Sequence, residues 1–144
     1  MATPHEPALA LRFSATIGAL TLHHVTACQG LDAQYEVHEF KEGGNSEHAH
    51  KLPAGVTYAN VRITRPVDED SAKLATWFSE VRRTMARTTA SVLVHDGNGK
   101  VVARWDLEGV WPVRYTGPRL SSATSAAAEE TIELAHNGFV MSGS

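Results

Sequence analysis

The feature that most restricts the fold of this 144-residue chain is a single segment, at about residues 69–87, whose apolar residues recur at helical spacing. Their separations place them on one face of an α-helix. Acidic residues occupy positions 68–70, and arginines lie at 82, 83 and 87, in agreement with the helix dipole. The pattern predicts one helix that packs on the core through a stripe of apolar side chains: Leu74, Trp77, Phe78, Val81 and Met85.

Elsewhere apolar residues alternate with polar ones, which is typical of half-buried β-strands. Phe13, Ala15 and Ile17 show this alternation, and the sequence DGNG at 96–99 is a strong hairpin turn signal. Residues 126–135 fit either a helix or a strand, and we interpret them as a strand. The chain is therefore predicted to be mainly β, an antiparallel sandwich or barrel of about seven or eight strands with one flanking helix.

Residues 41–55 read KEGGNSEHAHKLPAG and are rich in glycine and polar residues. Just before them, Phe40 departs from the alternation of residues 33–38, which predicts a bulge or a bend near Glu39. We interpret 41–55 as a long polar connection. Because such connections are uncommon in compact domains unless they are functional or disordered, this loop is a candidate working part, with a disordered surface loop as the alternative.

Composition limits the class of protein. The length suits a single domain, residues 1–144. A net charge of −3 argues against nucleic-acid binding by charge alone, and the lone cysteine, Cys28, fits a reducing compartment. The N-terminal residues lack the pattern of a signal peptide, and no apolar run reaches the length of a membrane span. We expect synthesis and assembly in the cytoplasm and no membrane binding.

No group of residues forms a recognisable catalytic pattern. His48 and His50 could point to one side of an extended segment, but a third metal ligand is not evident beside them. Glu129, Glu130 and Glu133 do not form an evident carboxylate pair. The sequence therefore predicts no enzyme activity, no metal site and no cofactor.

Several motifs follow one another in a characteristic order. They are GLDAQYEVHEFKEGGN at 30–45, HKLPAGVTYANVRITR at 50–65, TWF at 76–78, the long segment SVLVHDGNGKVVARWDLEGVWPVRYTGP at 91–118, and EETIELAHNGF at 129–139. In this order the chain resembles the tail tube proteins of contractile phage tails and of phage-tail-like contractile injection systems, the family of the T-even tail tube protein. The similarity is strongest over residues 30–139.

The resemblance implies an Hcp-like β-sandwich protomer that forms hexameric rings, which stack into a hollow tube inside a contractile sheath. The implied partners are further copies of the chain, the sheath, the baseplate and other tube subunits, with a cargo effector or DNA in the lumen. The 41–55 loop would be the family's extended inter-ring arm. Its implied contact residues are Lys41, Glu42, Gly43, Gly44, Asn45, Leu52 and Pro53.

Two other functions remain open at the level of sequence. A type VI secretion protein of the Hcp kind would share the fold but form single rings. A small ligand-binding β-barrel would work as a monomer or dimer, and it would need a cluster of inward polar groups.

Overall fold

The computed structural model describes residues 11–41, 49–123 and 128–143, and the side chains of residues 40, 41, 49 and 50 lie outside this description. The described chain forms strands and one helix in this order: β1 (Arg12–Ile17), β2 (Leu20–Val25), β3 (Ala27–Gln29), β4 (Ala33–Lys41), β5 (Ala49–Tyr58), β6 (Val61–Pro66), α1 (Ser71–Thr84), β7 (Thr88–His95), β8 (Val101–Thr116), β9 (Glu129–Ala135) and β10 (Gly138–Gly143).

Eight of these strands form one antiparallel sheet, in the order β2-β1-β7-β8-β9-β6-β3, and β10 pairs with β8. The remaining strands, β4 and β5, pair only with each other among the described residues. The mainly β class, the antiparallel pairing and the single helix confirm the fold predicted from the alternating pattern. Residues 129–135 are a strand, as interpreted, and the DGNG segment connects β7 to β8.

Strand β8 links the two halves of the sheet. Its first part pairs with β7 on one side and with β10 on the other, and its last part, Trp111–Thr116, pairs with β9. The register against β7 shifts next to Gly109, between the pairs Ala90–Leu107 and Thr88–Val110. Such a bulge bends a strand and increases its twist, so β8 passes from one layer into the other.

The core lies between the two halves. Its buried residues come from both: Ala15, Ile17, Leu22, Val25, Ala90, Val92, Leu107 and Val110 from one, and Val61, Ile63, Ile132 and Leu134 from the other, joined by Leu74 of the helix. They alternate along their strands with exposed residues, as in β6, where Val61 and Ile63 are buried and Arg62 between them is exposed. Among the described residues, the only buried charged side chains are Arg65 and Glu130, and they pair with each other, which argues against a polar ligand site inside the sheet.

The helix is shorter than the predicted 69–87, and the residues of its predicted stripe differ in burial. Leu74 is fully buried, and Trp77 and Phe78 pack half-buried against the core. Val81 is also half-buried. The placement of Met85 on the stripe is corrected by the structure. Met85 follows the last helical residue, adopts φ 52°, and is 78% exposed. The helix therefore ends before Met85, the last residue of the predicted stripe.

We expect Leu74→Ala to lower the free energy of unfolding by about 2–5 kcal/mol, because it removes a fully buried side chain and leaves a cavity. Met85→Ala is the matched control on the same predicted stripe. Since Met85 is mostly exposed, we expect a change within about 0.5 kcal/mol. Urea unfolding of both variants measures the difference, and equal losses would contradict the observed end of the helix.

Candidate functional site

The described part of the predicted 41–55 loop lies in strands. Residues 49–55 belong to β5, which pairs with β4 to form a long two-stranded ribbon outside the main sheet. Leu52 and Pro53 therefore lie in a strand, and Lys41 ends β4. Glu42, Gly43, Gly44 and Asn45 lie outside the described residues, as does His48. The predicted bulge near Glu39 is also displaced: the register shifts between Glu36 and Val37, opposite Ala54.

The ribbon carries an exposed apolar face. Tyr35 is paired with Val56 and Val37 with Pro53, and partners in an antiparallel pair point to the same side. Tyr35 and Val37 are 63% and 60% exposed. Every described side chain of the ribbon is exposed except Tyr58, which is half-buried at its base. An isolated two-stranded hairpin is marginally stable in water, so this face is suited to a partner.

The main sheet also has strands with an open edge. Among the described residues, β2 pairs only with β1, and β10 pairs only with β8. Strand β10 exposes Val140 and Met141, the latter by 59%. Open edges offer unpaired backbone N–H and C=O groups, and a neighbouring subunit can satisfy them.

A buried polar cluster joins the helix to the second half of the sheet, and we call it the Arg65 cluster. Arg65 and Glu130 face each other as partners of β6 and β9, and both side chains are fully buried. The Arg65 Nη1 donates to Glu130 Oε1 at 2.7 Å, and Nη2 donates to both Asp68 carboxylate oxygens at 2.8 Å. Ser71 and Tyr115 donate to Glu130 at 2.7 and 2.5 Å.

This cluster fixes the start of the helix to two strands. Asp68 accepts from the backbone N–H of Asp70 and from Arg65, while Ser71, the first helical residue, donates to Glu130. The acidic residues therefore precede the helix, and the first turn itself contains none. The hydrogen bond from Arg65 holds the pKa of Asp68 below its usual range. Burial, followed by the hydrogen bond to Glu130, raises the pKa of Tyr115 to about 12.

The sequence interpretation missed this cluster, although a signal was present. Strand β6 buries Val61 and Ile63, and the same period of two places Arg65 on the inner face. In β9 the same period places Glu130 in line with Ile132 and Leu134. Two opposite charges at inward positions of predicted strands indicate a buried ion pair.

The Asp68 carboxylate makes stability depend on pH in the acid range. Because its pKa is lower in the folded protein than the usual value near 3.9, its contribution is present above about pH 4 and is lost as the pH falls further. We expect the free energy of unfolding of the wild type to fall more steeply below about pH 4 than that of Asp68→Asn. Glu80→Gln, on the exposed face of the helix, should retain the wild-type steepness. Urea unfolding across this pH range measures the slopes, and equal slopes for all three proteins would contradict the assignment.

The described residues contain no group of three or more His, Cys, Asp or Glu side chains that could hold a metal ion. Burial raises the pKa of the Cys28 thiol to about 11, so this cysteine is a poor nucleophile at neutral pH.

A groove of about 370 Å³ lies between the helix and β8, lined by apolar residues such as Phe78 and Trp111 and by two arginines. In the part of the chain that the structure describes, no helix is both long and apolar enough to cross a bilayer.

The family is decided by the sequence comparison. A family model, "T4-like virus tail tube protein gp19", matches residues 9–140. The chain belongs to this tail tube family. The match spans both halves of the sheet, the helix and the ribbon of the tail tube chain. A comparison with curated protein sequences gives no match.

Solved structures show the same fold. A chain from the PVC sheath–tube complex, an extracellular contractile injection system in its extended state, gives a TM-score of 0.84 at 17% identity, covering 98% of this tail tube chain and 95% of that one. A chain of the anti-feeding prophage (AFP) baseplate, 6-fold symmetrised, gives 0.73 at 18% identity and covers 99% and 98%. Hcp1 from Flavobacterium johnsoniae gives 0.59 at 14% identity and covers 92% and 96%. The Hcp-like tail tube fold is thereby confirmed.

Proposed function

We propose that the chain is a structural inner-tube subunit of a contractile injection system or contractile phage tail. In this function it forms hexameric rings that stack into a tube, and the lumen passes cargo or DNA. The observation that carries the proposal is the β4–β5 ribbon, whose apolar face is not covered by any described part of the protomer. In a member of a tail tube family, a second copy of the chain is the partner that suits this face.

Ring formation has a physical basis in the sheet. Strands β2 and β10 are open at opposite sides of the same half, so contact between one copy's β10 and the next copy's β2 would use both edges. Such a head-to-tail contact repeats from one copy to the next. It forms a closed ring when a whole number of subunits completes one full turn. The six-fold symmetry of the AFP baseplate supports six subunits.

The proposal also includes the domain organisation, the partners and the location of the protein. Residues 1–144 act as one tail tube domain, because the matched region 9–140 contains both layers and their shared core. The role is structural and non-catalytic. The proposed partners are the sheath, the baseplate and other tube subunits, since neighbours in fold come from a sheath–tube complex and a baseplate. The proposed location is a phage tail or tail-like particle, after synthesis in the cytoplasm.

The ribbon is also the proposed contact between rings. Its predicted contact residues Leu52 and Pro53 are exposed on β5, on opposite faces of the ribbon, so they are available to a neighbouring subunit. Lys41, Glu42, Gly43, Gly44 and Asn45 remain predicted contacts between rings.

A single-ring protein of the Hcp kind is the second candidate, favoured by the fold similarity to Hcp1. The two functions differ in stacking. Negative-stain imaging of the purified protein at high concentration separates them, because stacked tubes support the inner-tube subunit and isolated rings support the second candidate. Strictly monomeric protein would contradict both.

The edge contact is tested in the same images. Met141→Lys places a charge on the open β10 strand and is expected to block ring closure. Leu120→Lys is the matched control, because Leu120 is highly exposed but lies outside the strands. Normal rings from Met141→Lys would exclude β10 as the ring edge.

A further inference from the structure

We propose that Tyr58, His136 and Phe139 form a rigid joint at the base of the ribbon and fix the direction in which it leaves the main sheet. We call these residues the root joint. The inference rests on the proposed function, because a ribbon that contacts a second copy must point in a defined direction before assembly. The joint would make His136 and Phe139 positioning residues for assembly, although neither belongs to the ribbon.

The aromatic contacts come from both sides of the junction. Tyr58 ends β5, whereas Phe139 lies in β10 and His136 in the turn before it. The Tyr58 and Phe139 rings meet edge to face with centroids 5.2 Å apart, and His136 lies 5.6 Å from Tyr58 and 6.0 Å from Phe139. Edge-to-face aromatic pairs add stabilisation beyond the area that they bury. The last residue of the ribbon is thus held by the main sheet.

A hydrogen bond anchors the backbone at the same point. His136 Nε2 donates to the Ala59 carbonyl at 2.9 Å, and Ala59 is the residue directly after the ribbon. A carbonyl only accepts, so Nε2 carries a proton and is the donor. Nδ1 is buried and has no partner among the described residues. The hydrogen bond to the Ala59 carbonyl therefore fixes the orientation of the His136 ring.

Two glycines show how closely the segments meet. Gly30, just before the ribbon, has φ 92°, and a Cβ there would lie 1.9 Å from the Asn60 carbonyl oxygen. Gly138 has φ 152°, and a Cβ there would lie 3.1 Å from the Tyr58 ring. The Ala59 N–H also donates to the Asp32 carbonyl at 3.3 Å, which joins the two chain segments at the base of the ribbon. Packing at this distance leaves little room for the ribbon to swing.

The joint can be tested in the protomer, before any assembly. Spin labels at Lys51→Cys on the ribbon and Ser79→Cys on the helix, both exposed, report their separation in a Cys28→Ala background. In dilute, monomeric protein we expect a single narrow distance distribution. Phe139→Ala and His136→Ala should lose the narrow distribution while the protein remains folded by circular dichroism. A broad distribution in the parent protein would overturn the proposal.

Conservative variants separate positioning from general destabilisation. Tyr58→Phe keeps the ring contacts, and His136→Gln keeps a side-chain N–H that can reach the Ala59 carbonyl, so both should keep the narrow distribution. If Phe139→Ala fails to fold, His136→Ala decides the outcome, since it removes one half-buried side chain. An unchanged distribution in His136→Ala would overturn the joint.

Assembly is the second readout. In negative-stain images we expect variants with broad distributions to lose rings and tubes, and the conservative variants to retain them. Normal tubes from a variant with a broad distribution would overturn the positioning role. If the parent protein forms no rings, the proposed function fails, but the distance measurements still decide whether the joint is rigid.

Discussion

Glu130→Ala is expected to lower the free energy of unfolding by about 3–5 kcal/mol, because it leaves the fully buried Arg65 without its closest carboxylate. The loss extends beyond one ion pair. Ser71 and Tyr115 both donate to Glu130, so their hydroxyls lose an acceptor at the same time. Asp68 still pairs with Arg65, which keeps part of the charge compensated. Urea unfolding of monomeric protein measures the change.

The matched control is Glu129→Ala, one residue earlier in the same strand and exposed. It should change the free energy of unfolding by no more than about 0.5 kcal/mol. The double variant Arg65→Met with Glu130→Leu tests the cause, because it removes both buried charges and keeps apolar volume in their place. It should be more stable than Glu130→Ala. If the double variant is the less stable of the two, the buried charge of Arg65 is not the main reason for the loss.

Loss of assembly without loss of folding is expected when the ribbon is shortened. Glu36 and Gly55 are paired across the ribbon, so an Asn-Gly turn that replaces residues 37–54 would close a shorter hairpin. The removed residues contribute no described side chain to the core. The free energy of unfolding should therefore change by only about 1 kcal/mol, since loop closure depends weakly on length. Urea unfolding measures this, and negative-stain imaging should show that stacked tubes are absent.

Two full-length variants show which face of the ribbon is needed. Replacing Tyr35 and Val37 by Ser and Thr makes the apolar face polar, and we expect it to reproduce the loss of tubes. Replacing Gln34 and Thr57 by Ser changes the opposite face and should leave assembly intact. Normal tubes from the shortened ribbon would show that it has no part in stacking and would favour contacts made by the main sheet alone.

The sequence by itself determined the elements with a local period. Alternation predicted β1, the DGNG turn signal predicted the pair β7 and β8, and helical spacing predicted α1 with Leu74 on its buried side. It also carried the ordered motifs that indicate the tail tube family. These signals are local, because a strand or helix that packs on one core repeats its apolar residues at a fixed period.

The ribbon shows where local signals fail. Glycine, proline and polar residues made 49–55 look like a loop, but these residues pair with β4, and a two-stranded ribbon has an outer edge where a proline is tolerated. In this pairing Ala54 is an extra residue of β5 that has no partner in β4. The bulge therefore lies at Ala54 and not near Glu39. Neither the pairing with β4 nor the position of the bulge can be predicted from the sequence of one strand alone.

Only the tertiary structure decided which inward residues meet. The period of two places Arg65 and Glu130 inside, but their ion pair depends on the register between β6 and β9, and the role of Asp68 depends on where the helix begins. Likewise, Met85 fits the helical stripe, yet it lies beyond the last helical residue. The root joint brings Tyr58 to His136 and Phe139 across about 80 positions of sequence. Periodicity determines which side of an element a residue faces, whereas register, helix ends and contacts between distant segments arise only when the whole sheet is assembled.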